Sequence, residues 1–255
     1  ISAASGGASL SAGGSLTLAA AGNLALNGGT LKAGKAIHLQ AGGSLTLTNV
    51  SLTDSAFSAS AANDLTVAAT GNLNLAGQNA VAGKTLNLTA TGNVLLGGAI
   101  IGGSAVDITA VAISNSSAGG SITAGGGALK ATGGSITLKG ETLRLTAGAG
   151  LLLSAHSNVD LGSVTASGAG KLSVQAGAAV NAASITYSAG GLQITAAGPL
   201  TLTNATVNAA GSVDLNAGSV PLGAAALKAA QYLDRHVTHG LRLANVTLTG
   251  SAVTA

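Results

Sequence analysis

The stretch AATGNLNLAGQNAVAGKTLNLTATGNVLLGG, residues 68–98, states nearly the same phrase twice. ATGNLNL at residues 69–75 returns as ATGNVLL at residues 90–96, which is 21 residues later. A repeat period in the twenties is typical of solenoids, in which each turn packs only on the turns next to it. The stretch therefore predicts a protein built from many copies of one short unit.

The same spacing recurs outside this stretch. Aliphatic residues stand 21 apart in several pairs: Leu16 and Ile37, Leu24 and Leu45, Leu31 and Leu52, Leu65 and Leu86, Leu151 and Leu172, and Leu192 and Val213. Most of these residues open an apolar–polar–apolar triplet, such as LTL at Leu16 and LNL at Leu86, and this alternation indicates a strand with one buried face. Gly and Asn between the triplets are typical of turns. Each unit thus holds three short strands, one after another.

The fold class that these units predict is all-β: a three-faced parallel β-helix of about twelve coils, with about 21 residues per coil. Stacked coils are about 4.8 Å apart, so twelve of them would form a rod of roughly 60 Å. The preference of parallel crossovers favours a right-handed sense. We expect residues 1–255 to form a single repeat domain, excised from a much larger protein. Asn72 and Asn93 stand at equivalent corners one coil apart, and we expect their amides to form a short structural ladder.

The composition excludes several classes of protein. Charged residues make up 7% of the chain and aromatic residues 1%, and there is no Cys, Met or Trp. The mean hydropathy of +0.54 and the net charge of +3 argue against intrinsic disorder. The most apolar window, residues 94–106, is shorter than a membrane-spanning helix and is interrupted by Gly pairs. The basic residues are scattered, so we expect no nucleic-acid partner.

One region departs from the pattern. Residues 221–240 hold Pro221, an Ala-rich run and Gly240. Pro before and Gly after an apolar segment are typical of a helix start and stop. We therefore expect an irregular or short helical excursion from the solenoid there.

The same region is the best candidate for a ligand site. We expect low-affinity ligand binding, with a glycan the favoured ligand, at five residues that are chemically unusual for this chain: Tyr232, Asp234, Arg235, His236 and His239. On a helix His236 and His239 would share a face and could hold a metal, but surface histidines are the favoured interpretation. We expect no metal site and no cofactor.

Catalysis is disfavoured because the seven acidic residues are spread along the chain. Asp64 and Asp107 are 43 residues apart, or about two coils, which places them about 10 Å from each other. That distance does not suit the carboxylate pair of a retaining glycosidase. His38 and His156 lie in strand-like settings, which argues against a hydrolase triad. We expect no enzymatic or catalytic residues, and a polysaccharide-active β-helix enzyme is the least favoured interpretation.

Recurrent GGSLTL, GNLNLAG, LKAGK and AGKTLNLTATGNV resemble the haemagglutinin-type repeats of filamentous haemagglutinin exoproteins. The resemblance covers roughly residues 15–218 and is most evident over residues 15–97. These proteins are very large, belong to Gram-negative bacteria and are exported by two-partner secretion. The resemblance implies a right-handed β-helical shaft that is secreted to the cell surface.

The resemblance also implies a function. The chain would be a shaft segment of a secreted surface adhesin, acting in cell–cell, host or biofilm-matrix attachment. The alternative is the stalk of a contact-dependent growth-inhibition toxin. The implied partners are an outer-membrane two-partner secretion transporter during export and glycans or exopolysaccharide afterwards, and we expect the shaft to be monomeric.

Overall fold

A computed structural model shows the protein as a parallel β-solenoid. It describes the backbone of residues 2–3, 8–53, 56–115, 119–244, 247–249 and 252–253. Side chains are described for residues 9–52, 57–115, 119–139, 144–188 and 190–231. None of the described residues forms a helix of the length and apolarity that a membrane span needs.

The described backbone is divided into 27 strands that alternate with tight corners. In the first part of the chain the strands are β1 Ser2–Ala3, β2 Ala8–Ala12, β3 Leu16–Ala20, β4 Leu24–Asn27, β5 Gly29–Ala33, β6 Ala36–Ala41, β7 Leu45–Thr53, β8 Ala56–Ala61, β9 Leu65–Ala69, β10 Leu73–Asn74, β11 Asn79–Ala82, β12 Thr85–Ala90, β13 Asn93–Leu95 and β14 Ile100–Gly103. The remaining strands are β15 Ala105–Asn115, β16 Ser121–Ala124, β17 Leu129–Ala147, β18 Leu151–Ala155, β19 Val159–Ala176, β20 Val180–Ala183, β21 Thr186–Thr203, β22 Thr206–Ala209, β23 Val213–Gly223, β24 Ala226–Ala229, β25 Tyr232–Ala244, β26 Thr247–Thr249 and β27 Ala252–Val253.

The chain makes about ten turns of about 21 residues each, and the predicted fold class is confirmed. The predicted count of twelve coils and the right-handed sense are consistent with this architecture. Strands of successive turns pair in parallel, as β3 does with β6 and β9 with β12. The step between turns varies: Val94 pairs with Ile113 after 19 residues, and Ile113 pairs with Ile136 after 23. Long strands such as β17 and β19 continue around a corner.

Three faces result, and each buries a column of apolar side chains. On the first face Leu18 begins the column, which passes through Ile101 and Tyr187 to Leu227. The second-face column contains only Leu and Val: Leu24, Leu45, Leu65, Leu86, Val106, Leu129, Leu151, Leu172, Leu192 and Val213. The backbone register continues from Val213 to Leu233 and Val253. On the third face Leu73, Val94 and Ile113 are stacked in the same way. Burying each such side chain contributes about 1.5–3 kcal/mol, so a thin core suffices when every turn repeats it.

The corners have a backbone conformation that repeats from turn to turn. At the corner between the third and first faces, four successive turns carry a residue with φ near +50°: Ser163, Ser184, Asn204 and Ala224. This left-handed conformation costs a non-glycine residue about 1–2 kcal/mol. The stacked strands on either side of the corner hold the chain in it.

The predicted helical excursion near residues 221–240 is wrong. This part of the chain forms strands β23, β24 and β25, and Val213 pairs with Leu233 after the normal interval of 20 residues. The Ala-rich run also alternates with period two, since Leu227 is buried and Lys228 is exposed. A short Ala-rich segment has too little intrinsic helix stability to outweigh pairing with the preceding turn.

Candidate functional site

The predicted ligand residues from Tyr232 to His239 lie on strand β25. Their side chains lie outside the described residues, so this site stays a prediction. Backbone pairing sets Asp234 opposite Asp214 and Arg235 opposite the buried Leu215. The backbone is extended here, so the shared helical face that would have paired His236 with His239 does not exist.

Side-chain oxygens at the corners accept hydrogen bonds from the backbone of the next turn. Asn72 Oδ1 accepts from the Asn93 N–H at 2.8 Å, which is a bond between side chain and backbone. The same bond recurs in three further pairs of acceptor and donor: Asn23 with Ser44, Asp64 with Thr85, and Asn158 with Ala179. Each pair is 21 residues apart. These polar residues therefore stabilise the stacking of turns.

The carboxylates whose side chains are described each have a partner on another turn. Asp64 accepts the corner hydrogen bond, and Asp160 accepts one from Asn181 at 2.7 Å. Asp107 pairs with Lys130 at 3.6 Å, and Asp214 pairs with Lys171 at 3.7 Å. These ion pairs are well hydrated, so each is worth at most about 1 kcal/mol. Nowhere in the part of the chain with described side chains do three His or acidic residues cluster as metal ligands would.

A histidine and a serine meet on the outside of the first face. His38 Nδ1 lies 2.6 Å from Ser58 Oγ, and the two residues occupy neighbouring strands, β6 and β8. On the other side of His38 the register places Thr17. In a catalytic triad the histidine donates a hydrogen bond to an acidic residue. The register neighbours of His38 are instead the hydroxyl residues Thr17 and Ser58. Sequence reasoning missed this pair because it is formed across turns.

His38 and Ser58 line a shallow groove of about 310 Å³ that we call the first-face groove. Its lining consists of Thr17, His38, Leu39, Gln40, Ser58, Ala59, Ser60, Asn79 and Val81. A second recess, of about 420 Å³, lies further along and includes Ser188, Asn208 and Lys228. A third, of about 490 Å³, is lined by Thr132, Ser154 and His156. Of these three described recesses, the first-face groove combines an imidazole, amides and hydroxyls.

Two polar side chains inside the solenoid also escaped sequence reasoning. Asn115 is fully buried, and its amide accepts from the Gly98 N–H at 2.7 Å and donates to the Lys139 carbonyl at 3.1 Å. Tyr187 is buried, and burial raises the pKa of its phenol above 10.0. The Tyr187 hydroxyl accepts from the Leu172 N–H at 3.1 Å and donates to the Gly191 carbonyl. Both residues satisfy backbone groups where the coil is irregular.

The arrangement combines a continuous aliphatic core, hydrogen-bonded corners and outer faces of Thr, Ser, Asn and Gln. Such a structure can present shallow polar surfaces along its length. The fold therefore defines the chain as a parallel β-solenoid repeat protein.

The haemagglutinin repeat model matches residues 2–77, 58–155, 146–204 and 195–254. The chain belongs to the haemagglutinin repeat family, and the resemblance seen in the sequence is confirmed. This is a structural, adhesin-type family whose repeats occur in secreted, surface-associated proteins. No curated protein and no solved structure matches the chain.

Proposed function

We propose that this chain is a shaft segment of a large surface adhesin of a Gram-negative bacterium, acting in attachment to other cells, to a host or to a biofilm matrix. The observation that carries the proposal is the buried second-face column, which is aliphatic from Leu24 to Val213. A core that repeats without interruption makes a stiff rod, and adding turns lengthens it without redesigning the fold. The family supports the adhesin class.

Export through an outer-membrane transporter by two-partner secretion fits this architecture. Each turn needs only its neighbour, so the solenoid can fold turn by turn as the chain emerges. Nearly uncharged faces and the absence of Cys suit a chain that crosses the envelope unfolded and needs no disulfides.

The test uses a bacterium that makes the parent protein. The region corresponding to residues 1–255 is deleted in frame, and the amount of protein on the cell surface is measured beside attachment to cells and matrix. We expect normal surface display with reduced attachment. Unchanged attachment would contradict the proposal. Loss of growth inhibition towards neighbouring bacteria, with attachment intact, would instead favour the stalk of a contact-dependent toxin.

A further inference from the structure

The first-face groove is lined mainly by outward-facing polar side chains from four successive turns. Thr17, His38, Ser58 and Asn79 form one row: Thr17 pairs with His38 and His38 with Ser58, and Asn79 follows because the adjacent residue Ala80 pairs with Ala59. Gln40, Ser60 and Val81 form a parallel row. Neighbouring turns are about 4.8 Å apart, and residues two apart on a strand are about 6.6 Å apart. The groove therefore offers hydrogen-bonding groups at regular intervals along the solenoid axis.

The lining of the groove carries no Asp, Glu, Lys or Arg. Hydroxyls and amides can each donate and accept, as can a neutral imidazole, and this matches the hydroxyl groups of a sugar. A charged ligand would lose hydration here without gaining a counter-charge. The chemistry of the lining thus favours a neutral ligand.

Aliphatic side chains extend the groove at one end. Val81 is 40% exposed and Ile100 is 51% exposed, and Ile100 pairs with Asn79 in the next turn. Exposed aliphatic groups beside hydrogen-bonding groups suit the mixed C–H and O–H surface of a sugar ring. The described lining has no Phe, Tyr or Trp on which a sugar ring could stack, so the affinity for a single sugar should be weak. A polymer that contacts several turns at once would gain affinity from repetition.

We propose that the first-face groove binds a neutral polysaccharide chain lying along the solenoid axis. The inference rests on the proposed adhesive function and specifies its ligand class. Four turns present a track of roughly 14 Å, which is long enough for consecutive sugars of one chain to be held together. The His38–Ser58 hydrogen bond holds the imidazole in the middle of that track.

The test is affinity gel electrophoresis of the 255-residue chain in gels containing hydroxyethyl cellulose, mannan or heparin. We expect a neutral polymer to retard the chain in proportion to its concentration, and heparin to leave its mobility unchanged. In the double variant Gln40→Ala/Asn79→Ala we expect about tenfold weaker binding, because two hydrogen-bonding groups are removed.

The matched control is Gln175→Ala/Asn216→Ala, which removes the same two residue types from exposed positions two turns apart on the second face. It should bind as the original chain does, and circular dichroism should show both variants folded. The inference is overturned if neither neutral polymer retards the chain, if heparin does so instead, or if both double variants bind equally. None of these results bears on attachment by the parent protein, which the in-frame deletion tests separately. Failure of this inference is therefore distinguishable from failure of the proposed function.

Discussion

Tyr187 is the largest of the fully buried side chains in the described part of the chain. Its hydroxyl accepts a hydrogen bond from the Leu172 N–H and donates one to the Gly191 carbonyl. Replacing Tyr187 with Phe leaves the Leu172 N–H and the Gly191 carbonyl without this partner. We expect the free energy of unfolding to fall by about 1–3 kcal/mol. Thermal unfolding followed by circular dichroism measures the loss. An unchanged melting temperature would show that water or another group replaces the hydroxyl.

The same residue gives the chain a dependence on alkaline pH. Burial raises the pKa of Tyr187 above its unfolded value of 10.0, although the Leu172 N–H acts in the opposite direction. The unfolded state therefore releases the phenol proton first, and stability declines as the pH rises above 10.0 towards the folded-state pKa. Below pH 10.0 this contribution is fully present. The difference in stability between the native chain and Tyr187→Phe should therefore shrink above pH 10.0, and a constant difference would contradict this.

Leu88 and Thr89 are adjacent residues with opposite environments, because Leu88 is fully buried and Thr89 points outwards. We expect Leu88→Asp to prevent folding, since an unpaired carboxylate in the core between Val67 and Ile108 costs several kcal/mol. The control Thr89→Asp should fold and unfold nearly as the native chain does. Yield of secreted protein and circular dichroism measure both. Normal secretion of Leu88→Asp would count against turn-by-turn folding during export.

At the scale of an element, the space for a side chain at the corner between the first and second faces depends on the backbone of the turn beneath it. A Cβ added at Gly83 would collide with the carbonyl oxygen of Ala62 in the preceding turn. Gly126 occupies the same corner two turns later, and no atom lies within 4 Å of the corresponding Cβ. We expect Gly83→Ala to lower stability by about 1–3 kcal/mol, as overpacking does.

Gly126→Ala serves as the control for this corner and should be neutral or slightly stabilising, because it restricts the unfolded chain. Chemical denaturation measures the difference in free energy of unfolding between the two variants. We expect both to unfold with the same dependence on denaturant concentration. Equal effects of the two substitutions would mean that glycine is required for chain conformation at this corner and not for close stacking.

At the scale of the whole molecule, the turn is the unit that can be removed. Deleting residues 65–85 joins Asp64 to Leu86, which occupies the same register position as Leu65. We expect the shortened chain to keep its strand spectrum and to lose about 5 Å of length in solution scattering. The slope of denaturant unfolding should fall in proportion to the surface removed.

Deleting residues 65–74 is the contrasting case, because less than half a turn is lost and the following strands no longer match the faces beneath them. We expect this variant to misfold, since apolar residues would move out of the core. If both deletions fold equally well, the columns are not what specifies the stacking of turns.

The sequence alone determined the fold class, the turn length and the buried columns. Period-two alternation and a 21-residue spacing are local patterns, and single steps of the second-face column, such as Leu24 to Leu45 and Leu65 to Leu86, can be traced by that spacing. The same local reasoning failed near Leu227, because an Ala-rich segment is compatible with helix and strand, and pairing with the preceding turn decides between them.

Only the tertiary structure decided which polar residues meet. His38 and Ser58 are 20 residues apart, and Asn115 contacts residues 17 and 24 positions away, on the turns before and after it. Turn lengths vary between 19 and 23 residues in this part of the chain, so spacing does not predict such contacts. The first-face groove exists because outward residues of four turns come into register, and that register is set by packing of the core beneath them.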